Sequence, residues 1–184
     1  MNKLLPIFAV AFALSLPAAA SAELAQGAKA PVFVARGALA GKVFSVNLAA
    51  ALKKGPVVLY FYPRAFTQGC TLEAHAFAEA SADFRKAGAT VIGMSSDDLP
   101  TLQKFSTEAC RDEFAVASAT PAVIKAYDVD LVGKDGKSTG LTKRTSYVIG
   151  QDGRIKLVHS NMDYKDHVKL TLDAVKGLKG KKKA

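Results

Sequence analysis

The chain has 184 residues and a net charge of +9 at pH 7, and this length is enough for one domain with a sizeable hydrophobic core. Much of the excess charge lies in a C-terminal lysine cluster with no aromatic residues between its members, which argues against nucleic-acid binding. No segment after residue 22 is long and apolar enough to cross a bilayer.

The first 22 residues have the features of a secretory signal peptide. Lys3 supplies a positive start, residues 4–16 form an apolar run, and Ala20-Ser21-Ala22 has the small-x-small form of a cleavage site. The run is shorter than the about 20 apolar residues of a membrane span, although an uncleaved anchor is the alternative. Cleavage near Ala22 removes one lysine and no acidic residue, which leaves a net charge of +8. We therefore expect an exported protein, located in a bacterial periplasm.

Strands and helices alternate along the rest of the chain. Residues 31–35 and 43–46 predict a hairpin with Gly37 and Gly41 in its turn, and residues 57–62 are apolar throughout, as in a strand covered on both faces. The predicted strands cover residues 31–35, 43–46, 57–62, 90–94, 114–117, 144–149 and 154–159, and the predicted helices cover 48–54, 71–86, 99–110, 121–127 and 166–178. In helix 71–86 the apolar stripe consists of Leu72, Ala76, Phe77, Ala80 and Phe84.

This order of elements predicts the α/β class, with a mixed central sheet flanked by helices. It resembles a thioredoxin-like fold with an N-terminal β-hairpin extension. We expect one domain over residues 23–178 and a basic C-terminal tail over 179–184. Because a thioredoxin-like topology alone does not fix function, the functional prediction depends on the site residues.

A cysteine follows the apolar strand 57–62 at the expected start of a helix. Helix starts carry unpaired N–H groups and partial positive charge, so a thiol at Cys70 is more easily converted to the reactive thiolate. Thr67 has a hydroxyl that both donates and accepts hydrogen bonds, and Pro63 sets the turn and offers no N–H. Taken singly, Thr67 is equally explained as a helix cap and Pro63 as a strand end. Their joint spacing indicates a reactive cysteine site.

The spacing Pro63-x-x-x-Thr67-x-x-Cys70 resembles the active-site signature of the peroxiredoxins. Residues 57–63, 67–71 and 144–149 are similar to the Q-type, or bacterioferritin-comigratory-protein, branch. The resemblance implies a thiol peroxidase that reduces hydrogen peroxide and organic hydroperoxides with no metal and no bound organic cofactor. It implies Cys70 as the peroxidatic nucleophile and Arg144, rather than Lys143, as the arginine that points at it and stabilises its charge.

Two positions depart from the branch pattern. Gln68 stands where a proline is usual, which loosens the loop, and His75 stands where many members have a resolving cysteine. Cys110 then becomes the candidate resolving cysteine, forming an intramolecular disulfide with Cys70. A permanent structural disulfide and a buried free thiol remain the alternatives for Cys110.

Supporting residues and partners complete the interpretation. Glu73 fits a capping or loop-ordering role in the first helical turn. His75 either touches the site or is a partly buried helix residue, and His159 and His167 lack metal-ligand spacing.

We expect a monomer regenerated by a periplasmic thioredoxin-like or other thiol reductant. The alternatives are a thiol–disulfide exchange protein, which should contain a Cys-x-x-Cys that is missing here, and a copper-carrying module, which needs two close cysteines.

Overall fold

The structure, a computed structural model, describes residues 23–180. The predicted signal peptide 1–22 and the tail residues 181–184 lie outside the described residues. The strands are β1 (Val34–Leu39), β2 (Lys42–Asn47), β3 (Val57–Phe61), β4 (Thr90–Ser95), β5 (Ala115–Ser118), β6 (Asp130–Val132), β7 (Ser138–Thr142), β8 (Thr145–Ile149) and β9 (Ile155–Ser160). The helices are α1 (Leu48–Lys54), α2 (Gln68–Glu79), α3 (Ser81–Lys86), α4 (Leu99–Glu108), α5 (Pro121–Tyr127) and α6 (His167–Gly180).

A mixed seven-stranded sheet in the order β2-β1-β5-β4-β3-β8-β9 separates two layers of helices, which confirms the predicted fold class. Successive side chains of a strand point to opposite faces, and β3 shows this clearly. Val58 and Tyr60 pack into the core beneath α2, α3, α4 and α6, whereas Leu59 and Phe61 pack into the core beneath α1 and α5. The strand is buried along its whole length, as predicted.

The predicted N-terminal hairpin is present, but it is shifted along the chain. Its turn lies at Ala40 and Gly41, which both have positive φ, and Gly37 lies inside β1 rather than in the turn. A β carbon at Gly37 would lie 2.3 Å from the carbonyl oxygen of Val116 on the neighbouring β5. This glycine is therefore explained by close strand packing rather than by turn geometry.

The predicted helix 71–86 is two helices. The first begins at Gln68, so the cysteine lies within its first turn, and a break at Ala80 separates it from α3. The hydroxyl of Ser81 donates to the Phe77 carbonyl oxygen at 3.0 Å. Leu72 was predicted to be in the buried stripe but is 41% exposed. The buried face is instead centred on Glu73 and Phe77. Glu73 is buried there because its carboxyl accepts a hydrogen bond from Arg144.

The two-stranded ribbon β6–β7 was not predicted. Apart from Thr142 its residues are exposed or half-buried, and they lack the apolar alternation from which a strand is recognised. None of the helices within residues 23–180 has both the length and the apolar character needed to span a membrane.

The two neighbours of β3 position the site. Strand β3 runs parallel to β4 and antiparallel to β8, with Phe61 opposite Thr145. Because antiparallel neighbours run in opposite directions, the end of β3 lies beside the beginning of β8. The loop that leads to Cys70 and Arg144, the residue that precedes β8, therefore meet at one edge of the sheet.

Candidate active site

Cys70 is the third residue of α2 and is 1% exposed. The first hydrogen bond of this helix runs from the N–H of Thr71 to the carbonyl oxygen of Thr67, at 2.9 Å. The N–H groups of the preceding turn have no acceptor within the helix, so they place partial positive charge around the sulfur.

Arg144 lies immediately before β8 and reaches the cysteine. Its Nη2 donates a hydrogen bond to Sγ of Cys70 at 3.3 Å, and its Nε donates to the carbonyl oxygen of Met162 at 3.0 Å. Burial alone lowers the pKa of Arg144, but the nearby Glu73 and Cys70 outweigh that effect and raise it above its ordinary value. The guanidinium is therefore a permanent cation. Lys143 turns to the opposite side, where its Nζ lies 2.8 Å from a carboxylate oxygen of Glu23.

Glu73 is the partner of Arg144. The sequence predicted a capping or loop-ordering role, but its side chain is fully buried and Oε2 accepts a hydrogen bond from Nη1 of Arg144. Burial raises the pKa of the Glu73 carboxyl to about 8, although Arg144 acts in the opposite direction. The cysteine, the arginine and the glutamate thus form one contiguous polar group inside an apolar core.

The loop between β3 and α2 carries the other predicted residues. Thr67 is the N-cap residue of α2 and is exposed; its hydroxyl donates to the carbonyl oxygen of Arg64 at 2.9 Å rather than to the cysteine sulfur. Pro63 is half-buried. Phe66 has a left-handed φ of 62° and packs edge-on against Phe105 at 5.2 Å, so the loop has a defined shape despite Gln68.

Asp97 fixes this loop and was not recognised in the sequence. Its Oδ2 accepts hydrogen bonds from the N–H of Ala65 at 2.7 Å and from the hydroxyl of Ser95 at 2.8 Å. The next residue, Asp98, caps α4. Nothing in the local pattern distinguishes Asp97 from its neighbour, because its partner Ala65 is distant in sequence.

Cys110 follows the end of α4 and is fully buried, and both cysteines are free thiols. Burial, reinforced by Asp112, raises the pKa of the Cys110 thiol well above its ordinary value. The next two residues, Arg111 and Asp112, have left-handed φ values of 50° and 62°. The predicted helix 99–110 therefore ends before Cys110, in a strained turn.

Aromatic rings connect the helix of Cys70 to the helix that precedes Cys110. Phe77 of α2 stacks on Tyr60 at 4.4 Å, Tyr60 packs on Tyr62 at 5.5 Å, and Tyr62 stacks on Phe105 of α4 at 5.4 Å. Both cysteines belong to the same core cluster as these rings. Phe44 and Phe66, by contrast, are partly exposed, at 39% and 45%.

Comparison with known proteins identifies the family of this chain. Residues 26–158 match the AhpC/TSA family. The chain belongs to the AhpC/TSA family. It is 32% identical over 167 residues to the chloroplastic peroxiredoxin Q of Suaeda salsa, covering 89% of this chain and 73% of that protein. It is also 32% identical to a putative peroxiredoxin bcp of Coxiella burnetii, covering 77% of this chain and 92% of that protein.

Solved structures give the same assignment. Peroxidoxin BcpB from Mycobacterium tuberculosis superposes with a TM-score of 0.73 at 30% identity, covering 83% of this chain and 97% of the other. Peroxiredoxin Q from Xanthomonas campestris gives a TM-score of 0.68 at 26% identity, covering 78% and 90%. The protein is thus a peroxiredoxin, a thiol peroxidase with a peroxide as substrate and a thiol as reductant. The Q-type resemblance is confirmed, and the exchange and copper-carrying alternatives are not favoured.

The histidines of this peroxiredoxin occupy different environments. His75 is half-buried on the next turn of α2, and no hydrogen bond within residues 23–180 joins it to Cys70 or Arg144. The rings of His159 and His167 lie 4.5 Å apart, a contact that their sequence spacing did not indicate. His167 is completely buried, and burial lowers its pKa to about 4.

Proposed function

We propose that Cys70 is the peroxidatic cysteine of this thiol peroxidase and that Cys110 is its resolving cysteine. The proposal rests above all on the hydrogen bond from Nη2 of Arg144 to Sγ of Cys70, at 3.3 Å. A buried sulfur at a helix start, in contact with a permanent cation, is placed where negative charge on it is stabilised.

In the first step, the thiolate of Cys70 attacks one oxygen of the hydroperoxide. A sulfur–oxygen bond forms while the oxygen–oxygen bond breaks, and the departing oxygen takes a proton and leaves as water or an alcohol. The sulfur is oxidised to a sulfenic acid and the peroxide is reduced. Arg144 stabilises the charge that develops on the departing oxygen. The hydroxyl oxygen of Thr67 accepts from the hydroperoxide, and Pro63 limits access of water to the sulfur.

In the second step, the thiol of Cys110 displaces the hydroxyl of the sulfenic acid. A disulfide forms and one water molecule leaves. Both cysteines are buried and connected through packed aromatic rings, so the step requires local opening of the segment around Cys110. The left-handed residues Arg111 and Asp112 favour that opening, since each stores about 1–3 kcal/mol of strain. A thioredoxin-like or other thiol reductant then returns both cysteines to thiols.

Mass spectrometry of the intact protein tests the two roles. Reduced wild-type protein treated with one equivalent of hydrogen peroxide should lose two hydrogens, because one disulfide forms. Cys110→Ser should instead carry a dimedone-trapped sulfenic acid at Cys70, whereas Cys70→Ser should react with neither reagent. Rapid peroxide consumption without a disulfide would remove the resolving role of Cys110. An unreactive Cys70 would overturn the assignment of the nucleophile.

We also propose that the protein is exported to the periplasm and acts there as a monomer. The support for export is the signal-peptide pattern of residues 1–22 and the Ala20-Ser21-Ala22 cleavage motif. Sequencing the N-terminus of protein recovered from a periplasmic extract should give Glu23 as the first residue. Recovery of the uncleaved chain from the cytoplasm would overturn this part without affecting the chemistry at Cys70.

A further inference from the structure

The connection between β9 and α6, residues 161–166, is attached to two buried side chains at once. The carbonyl oxygen of Asn161 accepts a hydrogen bond from Nε2 of His167 at 2.9 Å. The carbonyl oxygen of the next residue, Met162, accepts from Nε of Arg144 at 3.0 Å. The N–H of Asn161 also donates to the carbonyl oxygen of Arg144 at 3.1 Å. Adjacent peptide groups therefore fix the histidine and orient the guanidinium.

Both nitrogens of the His167 ring are engaged. A carbonyl oxygen only accepts hydrogen bonds, so Nε2 carries the proton that is shared with Asn161. Nδ1 is then an acceptor, and the hydroxyl of Ser146 donates to it at 2.8 Å. The ring is completely buried and burial keeps it neutral near pH 7, because the pKa is lowered to about 4. These two bonds and the surrounding core leave the ring one orientation.

The ring of His167 also lies close to Glu73, the second group that contacts Arg144. Nδ1 of His167 is 3.7 Å from Oε1 of Glu73, which is beyond hydrogen-bond distance. Within the described residues this carboxylate oxygen has no hydrogen-bond partner, while Oε2 accepts from Arg144. His167 therefore borders Glu73 on one side and holds the Asn161–Met162 peptide on the other, and both of these contact the guanidinium.

We propose that His167 is a positioning residue for peroxide reduction. It does not touch Cys70; it holds the Asn161 carbonyl, which precedes the Met162 carbonyl that accepts from Arg144, and it borders the Glu73 carboxyl at 3.7 Å. The inference rests on the proposed function of Cys70 and Arg144 and adds a residue to that site. Loss of the Nε2 bond to Asn161 would release residues 161–162, so the guanidinium would no longer be held against Sγ.

Two near-isosteric substitutions separate the contacts of the ring. In His167→Gln the side-chain amide reaches the Nε2 position and keeps a donor for Asn161, whereas in His167→Asn it reaches only the Nδ1 position. The measurement is the second-order rate of Cys70 oxidation by hydrogen peroxide, in quenched samples of the reduced full-length chain. His167→Asn should slow this reaction about ten-fold or more, as expected for a misplaced catalytic group, and His167→Gln, which keeps the bond to Asn161 but loses the acceptor for Ser146, should slow it less.

Two further variants make the outcome decisive. Val175→Ala creates a cavity under α6 without touching residues 161–162, so it should lower the denaturation midpoint and leave the rate unchanged. Ser146→Ala frees the ring to turn and should slow oxidation in the same direction as His167→Asn, which keeps the test valid if the latter does not fold. The inference would be overturned if His167→Asn and Ser146→Ala were both oxidised as fast as wild type. It would also be overturned if Val175→Ala slowed oxidation as much as they do. Wild-type protein inert to peroxide would instead overturn the proposed function itself.

Discussion

The guanidinium of Arg144 occupies the space into which a side chain at residue 69 would project. A β carbon built on Gly69 would lie 3.3 Å from Nη2 of Arg144, the same atom that donates to Cys70. We expect Gly69→Ala to displace the guanidinium by a few tenths of an ångström and to slow peroxide reduction by about ten-fold. Stopped-flow measurement of peroxide consumption checks this.

Gly177→Ala is the matched control for that substitution. Gly177 also lies in a helix, but a β carbon there would meet nothing within 4 Å. This change should leave the rate unaltered and stabilise the protein by up to about 1 kcal/mol, because alanine is the better helix former. A Gly69→Ala protein as fast as wild type would contradict the close fit of Arg144.

Tyr60→Phe should stabilise the protein. The Tyr60 hydroxyl is buried and has no hydrogen-bond partner within the described residues, so its removal relieves a desolvation penalty of about 1–3 kcal/mol. Tyr127→Phe is the matched control with the opposite sign, because the Tyr127 hydroxyl donates to the carbonyl oxygen of Pro31 at 2.7 Å. Urea denaturation of the reduced proteins measures both changes. Destabilisation by Tyr60→Phe would show that its hydroxyl does have a partner.

Glu73→Gln should change how stability depends on pH. The pKa of Glu73 is raised in the folded protein, from 4.5 to about 8, so the folded state binds its proton more tightly than the unfolded state. The resulting stabilisation is complete below pH 4.5 and is lost as the pH rises to 8, by at most about 1.4 kcal/mol per pH unit. Wild-type stability should therefore fall relative to Glu73→Gln across this window. Parallel stability curves would contradict the raised pKa.

Asp97→Ala should weaken the active-site loop. The variant loses the acceptor for the Ala65 N–H, which leaves residues 64–67 less constrained, and peroxide reduction should slow. Asp98→Ala removes the cap that accepts from the Thr101 N–H and should cost about 1 kcal/mol of stability without slowing the reaction. Paired denaturation and peroxide assays distinguish the two neighbours. Equal rates in both variants would show that Asp97 acts only on stability.

Local patterns predicted most of the architecture. Strand 57–62 was predicted because its residues are all apolar. Helix 121–127 was predicted because a proline stands at its start. The ribbon β6–β7 was missed because its strands lack such a pattern. Gly37 was misplaced because the reason for that glycine is the approach of Val116 on another strand. Contacts between segments distant in sequence leave no trace in a local window.

In the site, too, local sequence patterns were informative, whereas contacts between distant segments were not predicted. Cys70 and Arg144 were found from spacing and from resemblance to a family, and the structure brings their side chains into contact. The burial of Glu73 was not predicted, because its partner lies 71 residues away. The predicted helix also began at residue 71, which put Glu73 in a first turn, whereas α2 begins at Gln68 and Glu73 lies in its second turn. His167 was noticed only for lacking metal-ligand spacing, since its contacts to Ser146 and Asn161 depend on how β8, β9 and α6 pack.

The antiparallel pairing of β8 with β3 also sets the order in which the protein becomes reactive during synthesis. Cys70 emerges from the ribosome well before Arg144, since 74 residues separate them. Even after Arg144 has emerged, its guanidinium meets the sulfur only when β8 has aligned along β3. A nascent chain therefore carries the thiol without its cation. With Cys70 as the proposed nucleophile, peroxide sensitivity is acquired with the tertiary structure, so an unfinished chain is spared premature oxidation at that residue.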